Sequence, residues 1–221
     1  AKFGWLNAHH HFSFGQYHDP KRMGLGPLRV WNDDTIKPKT GFDPHPHKDM
    51  EIITYVRKGA ITHKDRLGNE GRTVAGDVQV MHAGTGIVHA EYNLEDEETQ
   101  IFQIWIHPDR TGHEPGWGSR SFPDKSSGSF TALASGRVVD EASNALPIHQ
   151  DAAVLGAKLK GGDVVSYSFG EGRQGYLVST DAAIEVNSTP VQARDGVTMS
   201  GEKTITVKAL GDTDLVMVDV A

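Results

Sequence analysis

The chain has 221 residues, no cysteine, and 22 lysines and arginines against 29 aspartates and glutamates, for a formal net charge of −7. Without cysteine there is no disulfide, thiolate nucleophile or cysteine zinc site, and an acidic chain lacking any lysine or arginine run offers no electrostatic footprint for direct nucleic-acid binding. The length fits one large domain or two small ones. No stretch approaches the roughly 20 apolar residues of a membrane helix, and the opening AKFGWLNAHH lacks the apolar run of a signal peptide, so a cytoplasmic location is expected.

Trp5 to Arg22 is rich in aromatic residues and histidines and reads as an ordered arm, with His11, Phe12, Phe14 and Tyr17 as packing residues. Leu28-Arg29-Val30-Trp31 reads as a strand ended by a polar turn, Asn32-Asp33-Asp34, whose two carboxylates diverge into solvent rather than forming an acid and base pair or a calcium site. From Gly41 the sequence becomes more specific. Side chains two apart on an extended strand share a face, so His45 and His47 can converge on one point.

Glu51 to Val56 has the β-branched and aromatic content of a buried strand, Gly59 turns the chain, and Ala60 to Lys64 returns. Asp65-Arg66-Leu67-Gly68-Asn69 reads as a hairpin loop, with His63 and Asp65 beside it as structural residues. Val78 to Met81 is a further strand. Ala83-Gly84-Thr85-Gly86 lacks the GxxxxGK[ST] pattern of a phosphate loop and runs into β-branched Ile87-Val88, so its glycines are expected to bend the backbone and bring His89 inward. By the same parity His89 and Glu91 share a face, and three imidazoles with one carboxylate suit a divalent first-row metal.

Glu95 to Glu98 reads as a solvated acidic loop, and Gln100 to Ile106 as a strand with Ile101, Gln103 and Trp105 on one face. Gln103 is therefore either a polar group of a pocket also lined by Phe42 or a partner for the backbone. His107 to Leu146 shifts to proline, glycine and serine and reads as an inter-domain connection. Beyond it, runs at 164–167, 175–178, 183–186, 191–193, 204–207 and 215–218 read as strands. His149 is the sole histidine there, and no HxH or HxE occurs. Short strands separated by glycine-rich turns predict an all-β sandwich or jelly roll.

Gly41-Phe42-Asp43-Pro44-His45-Pro46-His47 with Glu51, closing at Gly59, resembles the first cupin motif, and Gly76 through Gly84, Gly86, His89 and Asn93 resembles the second. The particular wording GFDPHPHKDMEIITYV, AGDVQVMHAGTGIVHAEYN and IFQIWI resembles the pirin family, in particular its bacterial quercetinase-like members, strongly in the N-terminal half and more weakly beyond. The resemblance implies two cupin jelly-roll barrels, a metal-binding one over 1–130 and one without metal ligands over 146–221. It places the metal on His45, His47, His89 and Glu91. Ordinary cupins take their carboxylate from the first motif, here Glu51; Glu91 is favoured because His-Ala-Glu matches the pirin wording and needs no extra bend. Iron(II) is the expected ion, with manganese, nickel, cobalt, copper and zinc as alternatives. The implied activity is that of an oxidoreductase, a flavonol 2,3-dioxygenase of the quercetinase type. It opens the substrate ring with dioxygen and loss of carbon monoxide, with Glu91 also as catalytic base. The alternative is a non-catalytic, metal-dependent regulator or redox sensor acting through a protein partner.

Overall fold

The computed structural model describes residues 4–122 and 128–221. Residues 123–127, part of the expected connection, lie outside the described residues. In chain order the strands are β1 (Leu6–His10), β2 (Leu28–Ile36), β3 (Thr40–His47), β4 (Glu51–Lys58), β5 (Ala60–Asp65), β6 (Glu70–Val74), β7 (Val78–His82), β8 (Ile87–Asn93), β9 (Thr99–Ile106) and β10 (Gly116–Arg120). There follow β11 (Thr131–Ser135), β12 (Leu146–Pro147), β13 (Ala152–Leu159), β14 (Val164–Ser168), β15 (Gln174–Ser179), β16 (Ile184–Val186), β17 (Thr189–Val191), β18 (Gly196–Ser200), β19 (Thr204–Ala209) and β20 (Thr213–Val220). Among the described residues, helix is confined to one 3-10 turn, Val138–Asp140. Among the described residues no helix is long and apolar enough to cross a membrane.

The described residues form two compact all-β units, 4–122 with 146–150, and 128–145 with 151–221. The first is built from a six-stranded sheet ordered β1-β2-β9-β4-β7-β10 and a four-stranded sheet ordered β3-β8-β5-β6. The register of the larger sheet sets the character of its inner face. Asn32 on β2 lies opposite Gln103 on β9, Gln103 opposite Thr54 on β4, and Thr54 opposite Gln79 on β7. Opposed residues of antiparallel strands project to the same side, so these four make one polar row. Apolar rows flank it. One side carries Val56 and Ile101, which pack with Leu6, Ala8, Ile36 and Ile61; the other carries Ile52 and Met81, which pack with Ala83, Ile87 and Trp105.

Several expectations need correction. Asn32-Asp33-Asp34 is no turn: β2 runs on to Ile36, paired on one side with β1 and on the other with β9, and all three polar residues are buried. Asp33 is neutralised by Arg57, itself buried over the Phe102 ring. Part of the aromatic N-terminal arm is the edge strand β1. The proline- and glycine-rich stretch after His107 is not simply a connection, because β10 in it completes the larger sheet against β7. Residues 146–150 group with the first unit.

The second unit has one sheet ordered β11-β13-β20-β15-β18 and another ordered β14-β19-β16-β17. β13 and β18 were not expected from sequence. Alanine and glycine dilute the apolar signal of β13, AAVLGAKL, yet six consecutive positions of it are buried. The core gathers Leu155, Leu177, Ile184, Ile205, Val207 and Met217. Against it lies a fully buried carboxylate, Asp219, which accepts hydrogen bonds from Arg137 at 2.7 Å, from Arg173 and from the Tyr167 hydroxyl.

Candidate metal centre

The four-stranded sheet carries the site, and one irregularity in it sets the geometry. Along β3 and β8, Phe42 lies opposite Glu91 and His45 opposite His89, with two residues between them on β3, Asp43 and Pro44, against one on β8, Ala90. The extra residue makes a β-bulge, at Asp43-Pro44, where proline has no N–H to offer a ladder. The bulge turns Phe42 to the same face as His45 and His47, which unbroken alternation would forbid. On the other side of β8, β5 sets His63 opposite Glu91 and Asp65 opposite His89. Two cross-sheet rows result: Phe42, Glu91, His63, and His45, His89, Asp65. Gly41 permits the close approach of β3 and β8, since a Cβ there would stand 2.2 Å from the Glu91 carbonyl oxygen.

The donor atoms of His45, His47 and His89 lie within 4.8 Å of one another, and His89 forms a second group of that span with His63 and Glu91. Hydrogen bonding assigns the protons. A carbonyl only accepts, so His45 Nδ1, 2.6 Å from the Asp43 oxygen, carries a proton and leaves Nε2 bare. His63 donates from Nε2 to Asp65 at 2.9 Å and thus accepts at Nδ1, which lies 3.4 Å from His89 Nδ1. His89 therefore also presents a bare Nε2. The two bare nitrogens stand 3.1 Å apart. Facing lone pairs repel unless a cation lies between them, and fixing of the outer nitrogen is how ligating histidines are oriented; the donor set fits a divalent metal. Burial, then repulsion from neighbouring imidazoles, lowers the pKa of His89 to about 3 and of His47 to about 4, so both rings are neutral donors at neutral pH.

Glu91 is only 2% exposed. Its two oxygens accept from Gln79 Nε2 at 2.6 Å and Gln103 Nε2 at 2.8 Å, both reaching across from the polar row of the larger sheet. Those amides are oriented in turn: Thr73 donates to Gln79 Oε1 and Trp105 Nε1 to Gln103 Oε1. Burial nevertheless outweighs the two bonds and raises the Glu91 pKa to about 7.

A cavity of about 680 Å³ opens beside this centre. Phe42 and Gln103 line it together with Trp5, Phe14 and Tyr17, and with the polar residues His10, Asn32 and Asp34. Asp34 is the unexpected member. It is buried, its Oδ1 has no hydrogen-bond partner, and burial followed by repulsion from Asp33 and Glu91 raises its pKa to about 7. Sequence reading also placed His63 and Asp65 in a merely structural role. The signal that could have found them is their own i, i+2 parity on β5, the same spacing as the two histidine pairs.

Glu51 lies elsewhere. Its carboxylate meets His82 Nδ1 at 2.6 Å and His149 Nδ1 at 3.1 Å. The hydrogen bonds and charge of His82 and the bonds from His149 together outweigh the large effect of burial and hold it below the usual glutamate range.

Two jelly-roll units in one chain, with histidines gathered inside one of them, define a bicupin. A family model described as Pirin matches residues 1–106, and one described as the quercetinase C-terminal cupin domain matches residues 133–220. The chain is 60% identical over 222 residues to a pirin-like protein of Caulobacter vibrioides, covering all of this chain and 95% of that protein. It is 36% identical over 220 residues to the quercetin 2,3-dioxygenase of Escherichia coli K12, covering 99% of this chain and 93% of that one. The crystal structure of the bacterial pirin YhhW of Escherichia coli in complex with nickel(II) matches it with a TM-score of 0.91 at 35% identity, over 100% of this chain and 93% of the other. The chain belongs to the pirin family.

Proposed function

We propose that the chain is a dioxygenase of the quercetin 2,3-dioxygenase type, dependent on one divalent metal held by His45, His47, His89 and Glu91. The carrying observation is that three converging imidazoles adjoin a cavity of about 680 Å³, whose lining includes Gln103, bonded to Glu91, and Phe42, whose ring centroid lies 6.3 Å from that of His45. The name of the Escherichia coli relative supports the same reaction.

When bound, the ion supplies Lewis acidity toward the substrate hydroxyl and electron transfer toward dioxygen. Iron(II) is our first choice. The rest falls to the protein. Phe14, Tyr17, Trp5 and Phe42 give the cavity aromatic walls for a flat flavonol and keep water from the opening ring. Glu91, poised near neutrality, accepts the hydroxyl proton while Gln79 and Gln103 hold its carboxylate in place. The buried carboxyl of Asp34, part of the cavity lining, accepts a hydrogen bond from a phenolic hydroxyl of the substrate. His63 and Asp65 keep the His89 lone pair on the metal side.

The test is reconstitution of metal-stripped protein with iron(II), manganese, nickel, cobalt, copper or zinc in turn, following loss of quercetin absorbance and release of carbon monoxide. Turnover with at least one ion, abolished by His47→Ala, is expected. Full metal loading with no carbon monoxide under any ion would overturn the catalytic reading and favour a regulatory role through a protein partner.

A further inference from the structure

We propose that Glu51, His82 and His149 form a second divalent-cation site, of the two-histidine, one-carboxylate type, separate from the His45 centre. The three residues come from different segments of the first unit. Glu51 begins β4, His82 ends β7 directly opposite it, and His149 follows β12. Their donor atoms all lie within 4.8 Å of one another.

Three features distinguish this cluster from a chance meeting of side chains. First, the carboxylate is divided between the rings: Oε2 faces His82 Nδ1 and Oε1 faces His149 Nδ1, so both imidazoles aim a ring nitrogen at one anionic point. Second, the supporting shell is built. His149 stacks on His113 with ring centroids 3.9 Å apart and planes 18° from parallel, and His113 is bonded to Asp109 at 2.6 Å. The Asp109 backbone N–H donates to the His149 carbonyl, and the His149 backbone N–H donates to Glu51. Third, there is a way in: Glu51 is 1% exposed, whereas 37% of the His149 side chain faces solvent.

Two imidazole nitrogens and one carboxylate oxygen are the donors of many zinc and iron(II) sites with open positions. A cation would take the place of the proton that each Nδ1 now shares with Glu51, the rings keeping a proton at Nε2 instead. The same three side chains can also stand as a hydrogen-bonded cluster binding protons alone. Uptake of a cation separates the two cases.

Zinc titration of the full-length, metal-stripped chain by calorimetry is the measurement. His89 belongs to both other donor groups, so His89→Ala disables them together. Wild type should bind two equivalents of zinc, His89→Ala one, His149→Gln one, and the double variant none above background. Loss of a direct ligand should weaken the second site by more than the roughly 10- to 100-fold typical of an outer partner. His149→Gln alters a partly exposed side chain, and its thermal melt should match wild type. One equivalent in wild type that His89→Ala abolishes, or the same stoichiometry with and without His149, would overturn the proposal.

Discussion

Asp34→Asn should stabilise the metal-free protein, and by an amount that grows with pH. Asp34 is 2% exposed with an unpartnered oxygen, and its pKa stands at about 7 in the fold against about 3.9 in an unfolded chain. Because the folded state holds the proton more tightly, the unfolded state ionises first as pH rises. Stability is therefore greatest below about pH 4, is lost progressively up to about pH 7, and is level above that. Roughly three pKa units at about 1.4 kcal/mol each amount to about 4 kcal/mol. Asparagine cannot ionise, so the advantage of the variant over wild type should rise from about 1–2 kcal/mol near pH 5 to about 4 kcal/mol at pH 8. Urea unfolding of chelator-treated wild type and variant at pH 5, 6.5 and 8 measures it, and Glu91 is present in both proteins. A difference that stays constant with pH would refute the reasoning. Retention of so unfavourable a group is understandable if it serves the cavity: Asp34→Leu should raise the KM for quercetin about 10- to 100-fold, as loss of a hydrogen bond to a charged or acidic group does.

Glu91→Gln should lower quercetin turnover at least about 100-fold, the usual scale for a lost general base, whereas Glu51→Gln should leave turnover near wild type; assays run side by side decide between them. A dead Glu51→Gln beside an active Glu91→Gln would reverse the assignment. His63→Phe keeps a ring stacked on Trp117 but removes the acceptor of the His89 Nδ1 proton, so metal affinity measured by competition with a chelator should fall about 10- to 100-fold. Asp219→Ala takes the shared carboxylate from Arg137, Arg173 and the Tyr167 hydroxyl while leaving Arg137 with Asp140 and Arg173 with Asp151, and should cost about 1–3 kcal/mol in chemical unfolding, with quercetin turnover unchanged at temperatures where the variant stays folded.

Much of the fold was legible because a strand writes its faces into the sequence at a period of two. That period pairs His45 with His47 and His89 with Glu91, and the turn glycines between them mark where the chain reverses. Gly84 illustrates the point: it has a φ of +46° and would carry a Cβ 2.2 Å from the His113 carbonyl oxygen, so no other residue fits the bend before β8. The all-β class and the division into two β modules follow from the same punctuation.

Period two says which residues share a face but not what that face meets. Asn32-Asp33-Asp34 has the composition of a turn, and only flanking strands on both sides, β1 and β9, make it a buried strand with one carboxylate on Arg57 and the next in a cavity. Phe42 falls out of phase with His45 until a bulge restores it. Gln79 and Gln103 meet at Glu91 because two sheets close on each other, and His149 reaches Glu51 across 98 positions of sequence. Local alternation is dictated by the backbone of each segment, whereas these contacts depend on long-range register and closure of the barrel, which hydrophobic burial decides for the chain as a whole.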